Sequence, residues 1–116
     1  METNAVLLDV RTPEEHKTGY LEGALLLPLA ELESEISSKV ADKNTPIYIY
    51  CRSGRRAGTA VEKLKAMGYT DLHNLGGLKD AQKKLNLQIK KWKQYIIIGG
   101  GRNPAAYLYK DFTLAK

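Results

Sequence analysis

The chain has 116 residues, 43% of them apolar, which suits one packed domain and excludes a disordered chain. Its single cysteine excludes an intrachain disulfide and a cysteine-built zinc cage, and no apolar run is long enough for a transmembrane helix. The net charge of +5 arises wholly in residues 86–116, where six Lys/Arg face Asp111 alone; with no basic–aromatic motif beside them, nucleic acid is not an expected partner.

Taken in chain order, Ala5–Val10 is a short apolar run that reads as a buried strand. Thr12, Pro13 and the acids Glu14 and Glu15 are an N-cap, an N1 proline and a first acidic turn. A short helix should follow and stop near Gly19. Leu25–Leu27 is a second apolar run, closed by Pro28. Glu31–Ser38 has Leu32 and Ile36 at helical spacing, and Asp42–Pro46 is a turn cluster. Ile47–Tyr50, β-branched and aromatic throughout, is the clearest strand. Residues 51–56 form a loop, and a helix is expected from near Arg56. Its apolar stripe is Ala57, Ala60, Val61, Leu64 and Met67, with Gly68 as its C′ residue. Leu72–Asn74 reads as a brief strand, Gly76-Gly77 as a turn and Leu78–Leu85 as a helix.

Such alternation predicts an α/β fold, a small, mostly parallel sheet flanked by helices. Sites in open sheets of this kind lie beyond the carboxyl ends of strands. Cys51 stands there, after the best strand and before the best helix, so the candidate site is a loop between a strand and a helix N-terminus. A lone cysteine is ordinarily a small buried hydrophobe. Here Arg52, Arg55 and Arg56 crowd the same six residues, and Ser53-Gly54 lets the backbone curl. Positive charge and a helix N-terminus both favour thiolate over thiol. The reading is a thiolate in an anion-binding cup, suited either to phosphate or arsenate chemistry or to sulfur transfer. His16 and His73 read as packing or surface residues, because no histidine stands near Cys51 in sequence to act as a base.

Five blocks in order resemble the single-domain rhodaneses, a thiosulfate sulfurtransferase family. They are Leu8–Glu15, Gly19–Ala24, Tyr50–Arg56, Gly68–Thr70 and Leu75–Asp80, and they cover roughly residues 5–85. The last block is most similar to the small periplasmic phage-shock type. Related phosphatases and arsenate reductases carry a Cys-x5-Arg loop; Cys51 to Arg56 is Cys-x4-Arg, which favours sulfur. The resemblance implies that Cys51 is the nucleophile and carries a covalent persulfide, with no other cofactor and no metal. It places Arg52, Ser53, Gly54, Arg55 and Arg56 around the substrate. Arg52 and Arg55 would attract the anionic donor, and Arg56 would brace the loop. Asp9 and Arg11 would be structural supports near the site. Partners would be a small anionic sulfur donor and a cyanide or thiol acceptor. Three positions depart from the pattern: Tyr20 replaces a usual histidine, His16 a usual aromatic, and Leu78 often an aromatic.

Residues 1–85 are thus expected to form a rhodanese-like domain and 86–116 a basic extension. In the extension, Trp92 and Tyr95–Ile98 are apolar enough for one more strand. Gly99-Gly100-Gly101 is not a dinucleotide fingerprint, since Pro104 stands at the third glycine position. A monomer is expected, with association through the extension as the alternative. No signal peptide is expected in residues 1–20. The expected compartment is the periplasm after removal of a leader and the cytoplasm otherwise. A carrier that delivers sulfur to a partner protein is the alternative function.

Overall fold

The computed structural model describes residues 4–91, together with the backbone of 95–97 and 107–109. Four parallel strands form the sheet: β1 (Val6–Asp9), β3 (Leu25–Leu26), β4 (Ile47–Cys51) and β5 (Leu72–Gly77), in the order β3-β1-β4-β5. The short strand β2 (Tyr20–Leu21) pairs outside it with β6 (Ile89–Lys90), antiparallel. The helices are α1 (Pro13–Thr18), α2 (Leu32–Lys39), α3 (Arg55–Ala66) and α4 (Leu78–Leu85). None among the described residues is long and apolar enough to cross a membrane.

Strand periodicity divides the core between the two faces of the sheet. Leu8 of β1, Val10 just after it, and Ile47, Ile49 and Cys51 of β4 point to one face. There they pack with Leu32 and Ile36 of α2 and Ala57, Ala60 and Leu64 of α3. Leu7 and Tyr50 point to the other face, with Leu21, Leu75 and Ala81. Cys51 therefore sits on the α3 side because it is two residues beyond Ile49.

Local chemistry sets the helix ends. Thr12 and Glu15 make a reciprocal capping box around Pro13, and α1 ends at Gly19, as the sequence implies. Gly68, in the left-handed region at φ 101°, follows Met67 at the end of α3. One local expectation differs from the structure. Gly76-Gly77 do not reverse the chain but complete β5, and the register with β4 shifts between Ile49 and Cys51. Glycine is needed there for close approach: a Cβ on Gly77 would collide with the Arg52 carbonyl oxygen.

Residues beyond 85 begin inside the packed body. Leu87 and Ile89 rest on the second core face, and the Glu22 amide donates to the Gln88 carbonyl at 2.9 Å. Tyr95–Ile97 is a strand, paired antiparallel with Tyr107–Tyr109. The expectations for Trp92, Ile98, the glycines 99–101 and the basic Lys93, Arg102, Lys110 and Lys116 fall outside the described residues.

Candidate active site

Cys51 ends β4 and is 1% exposed. Three residues later Gly54 takes φ 101° and becomes the N-cap of α3, with no side chain of its own to satisfy the first-turn amides. The sulfur supplies that acceptor. The Gly54 amide donates to Cys51 Sγ at 2.9 Å and the Ala57 amide at 3.3 Å. Both dipoles, and the N-terminal end of a 12-residue helix, favour negative charge on the sulfur.

The three arginines of the loop separate by role. Arg52 and Arg55 are exposed, and among the described residues their side chains have no hydrogen-bond or ion-pair partner. Ser53 is exposed beside them. Arg56 turns away to Glu15, donating from Nη1 and Nη2 to Oε1 and Oε2 at 2.9 Å each. This fork ties the loop to α1. Its hydrogen bonds hold the Glu15 carboxyl at about 2, well below the ordinary value of 4.5, against the opposing effect of burial and with help from the Thr12 amide. Arg56 rises correspondingly.

Behind the loop lies a buried hub. Asp9 Oδ1 accepts from the Arg11 amide and Nε, both at 2.9 Å, and Oδ2 accepts from Arg11 Nη2 at 2.7 Å. Tyr50 Oη donates to Oδ2 at 3.1 Å, and His16 Nδ1 lies 2.8 Å from the same oxygen. Burial alone would raise the Asp9 carboxyl, but the bonds from His16 and Arg11 hold it below its ordinary value. Tyr50 is raised by its burial and by the Asp9 charge. It also accepts the Leu21 amide at 3.0 Å, so the residue before Cys51 is fixed from two sides. His16 stacks on Tyr20 with ring centroids 4.2 Å apart. The two departures from the family pattern are thus neighbours, with the histidine moved to the other partner of the stack. His73 is exposed against Asp71.

Sequence reasoning did not find the far wall of the loop. Asn74 Nδ2 donates to the Gly54 carbonyl at 3.1 Å, and its Oδ1 accepts the Gly76 amide at 2.8 Å. One side chain therefore bridges β5 and the N-cap of α3. The Asn74-x-Gly76-Gly77 spacing was the available signal. A cleft of about 480 Å³ opens beside the loop, lined by Arg11, Glu15, Thr18, Arg52 and the Gly77–Asp80 segment. Among the described residues no cluster of three His, Cys, Asp or Glu side chains is arranged to hold a metal.

Comparison with known proteins places this geometry. Residues 1–84 match the rhodanese-like domain. The chain belongs to the rhodanese-like family. It is 45% identical over 73 residues to the thiosulfate sulfurtransferase PspE of Escherichia coli, covering 63% of this chain and 70% of that one. A solved structure of a rhodanese with anions from E. coli superposes with a TM-score of 0.64 at 43% identity. That match covers 66% of this chain and 89% of the other. YrkF of Bacillus subtilis, a proposed sulfur carrier protein by name, is 35% identical over 75 residues, covering 64% of this chain and 40% of its own length. This rhodanese-like chain therefore resembles both sulfurtransferases and a protein named for carriage.

Proposed function

We propose that the chain transfers sulfane sulfur from thiosulfate to a thiophilic acceptor through a persulfide on Cys51. The Cys51 thiolate attacks the outer sulfur of thiosulfate. The S–S bond of the donor breaks, sulfite leaves with the electron pair, and Cys51 holds the outer sulfur. Cyanide or a thiolate then takes that sulfur and regenerates the Cys51 thiolate. No oxidant, metal or further cofactor enters the balance. Arg52 and Arg55 attract the dianion at the rim, Ser53 and Gly54 shape the cup, and the amides of residues 52–56 face the terminal sulfur. Arg56 acts through its fork to Glu15, and Asp9 and Arg11 act as supports.

The observation that carries this reading is the pair of amides on Cys51 Sγ, at 2.9 and 3.3 Å, at the N-terminus of α3. A core cysteine needs neither amides nor arginines around it. Steady-state sulfite release from thiosulfate with cyanide tests the reading. Cys51→Ser should abolish release while the unfolding midpoint stays close to wild type. Release that persists in that variant would overturn it.

A second reading is favoured by the similarity to YrkF. The chain would hold the persulfide for a partner protein and turn over poorly with free acceptors. Its basic extension would then dock the partner. Because Leu87 and Ile89 belong to the packed body, the informative truncation removes residues 92–116. Loading of Cys51 should survive it and delivery to the partner should weaken.

A further inference from the structure

Two further strands, β7 (Tyr95–Ile97) and β8 (Tyr107–Tyr109), form an antiparallel sheet that among the described residues has these two strands alone. The register sets Ile96 opposite Leu108, Tyr95 opposite Tyr109 and Ile97 opposite Tyr107. A strand period of two puts the Ile96–Leu108 pair on one face of the ribbon and the other two pairs on the opposite face. A ribbon with one side in water alternates apolar and polar residues. Here all six positions are apolar or aromatic, so neither face has the pattern of a water face. A two-stranded ribbon is marginal by itself in water, and this one needs cover. Charge and residue type indicate what covers it. Lys90, Lys91 and Lys93 precede the ribbon and Lys110 follows it directly. Residues 86–116 hold six Lys/Arg against Asp111, while residues 1–85 are neutral on balance. A second copy would therefore bring a like-charged extension and a body with no net opposite charge. Of the one tryptophan, one phenylalanine and seven tyrosines in the chain, Trp92, Phe112, Tyr95, Tyr107 and Tyr109 lie beyond residue 91. Tryptophan and tyrosine, apolar in body and polar at one end, are the side chains of the membrane–water interface.

We propose that the ribbon and its flanking lysines bind the surface of an anionic phospholipid bilayer. This goes beyond both readings of the sulfur chemistry and assigns the extension to lipid in place of a protein partner. The apolar and aromatic positions enter the boundary between headgroups and acyl chains, and the lysines meet the lipid phosphates. The ribbon lies on the bilayer and does not cross it. Strands of three residues are far too short for a hydrocarbon core about 30 Å thick. Among the described residues no third strand pairs the outer edges, whose backbone groups then need water. The site at Cys51 stays in the aqueous body of the protein.

Trp92 is the single tryptophan of the chain and reports on the segment directly. The full chain is titrated with vesicles of phosphatidylglycerol and phosphatidylcholine, and separately with vesicles of phosphatidylcholine alone. Trp92 emission should move to shorter wavelength with the anionic vesicles, and the protein should sediment with them. Binding to the neutral vesicles should be weaker by roughly tenfold or more, and added salt should weaken the anionic binding. Ile96→Asp puts a charge in the middle of the ribbon and should abolish the shift. Lys91→Glu with Lys93→Glu leaves the apolar pattern alone and should weaken binding to anionic vesicles roughly thirtyfold, at about fivefold for each cation lost. The urea unfolding midpoint of the body should match wild type in both variants. An emission spectrum unmoved by anionic vesicles, equal binding to the two vesicle types, or full binding by the lysine variant would overturn the proposal. So would a dimer in lipid-free buffer that Ile96→Asp dissolves, which would assign the ribbon to a second copy of the chain.

Discussion

The fork between Arg56 and Glu15 ties the start of α3 to α1, and Glu15→Gln removes its charge while keeping its shape. Both bonds are 2.9 Å, and the two side chains are 33% and 26% exposed. A fall from 4.5 to about 2, at about 1.36 kcal/mol for each tenfold change in proton affinity, sets a ceiling of about 3 kcal/mol. Water and salt screen a partly exposed pair, so the expected loss is about 1–2 kcal/mol. For a domain of this size that is roughly 4–8 °C in Tm per kcal/mol. Since the folded-state value is depressed, the contribution is complete above about pH 4.5 and is lost as pH falls toward 2. Thermal unfolding of wild type and Glu15→Gln from pH 2.5 to 7 should show curves that lie apart at neutral pH and converge toward pH 2.5. Loading of Cys51 by thiosulfate should slow in the variant, because the loop loses its strap to α1. Equal Tm values at pH 7, or a gap that widens in acid, would refute the argument.

Three other substitutions probe the same site. Gly77→Ala should cost roughly 1–3 kcal/mol and slow loading of Cys51, because the added Cβ meets the Arg52 carbonyl; urea unfolding and a loading time course check both. Asn74→Ala removes the bridge between Gly54 and Gly76. Its loading rate should fall roughly tenfold with a stability loss near 1 kcal/mol, the size of an ordinary hydrogen bond. Tyr50→Phe leaves the buried Leu21 amide without its acceptor and Asp9 with one donor fewer. It should destabilise by about 1–3 kcal/mol, measured by urea unfolding, while sulfur still loads onto Cys51.

The parts legible in the sequence are those governed by near neighbours. The capping box at Thr12 and Glu15, the apolar stripe from Ala57 to Met67 and the alternation of Ile47, Ile49 and Cys51 each declare their structure within a few residues. The position of Cys51 follows from them. Contacts over long separations were hidden. Glu15 reads as a capping acid, and nothing local reveals that it also receives Arg56, 41 residues away. Asn74 reads as the end of a weak strand, yet its side chain reaches back 20 residues to the α3 cap. The β2–β6 pair has two residues a side, too few for a period to show. Gly76-Gly77 looks like a turn because glycine pairs usually are, and only the neighbouring loop shows that the need is for close approach.

The measurement that bears most directly on the central claim is the intact mass of the reduced protein before and after thiosulfate, alongside Cys51→Ser. The account predicts a gain of one sulfur atom in wild type, its loss on adding cyanide, and no gain in the variant. An unchanged wild-type mass with a reduced, titratable thiol, or an equal gain in Cys51→Ser, would contradict it.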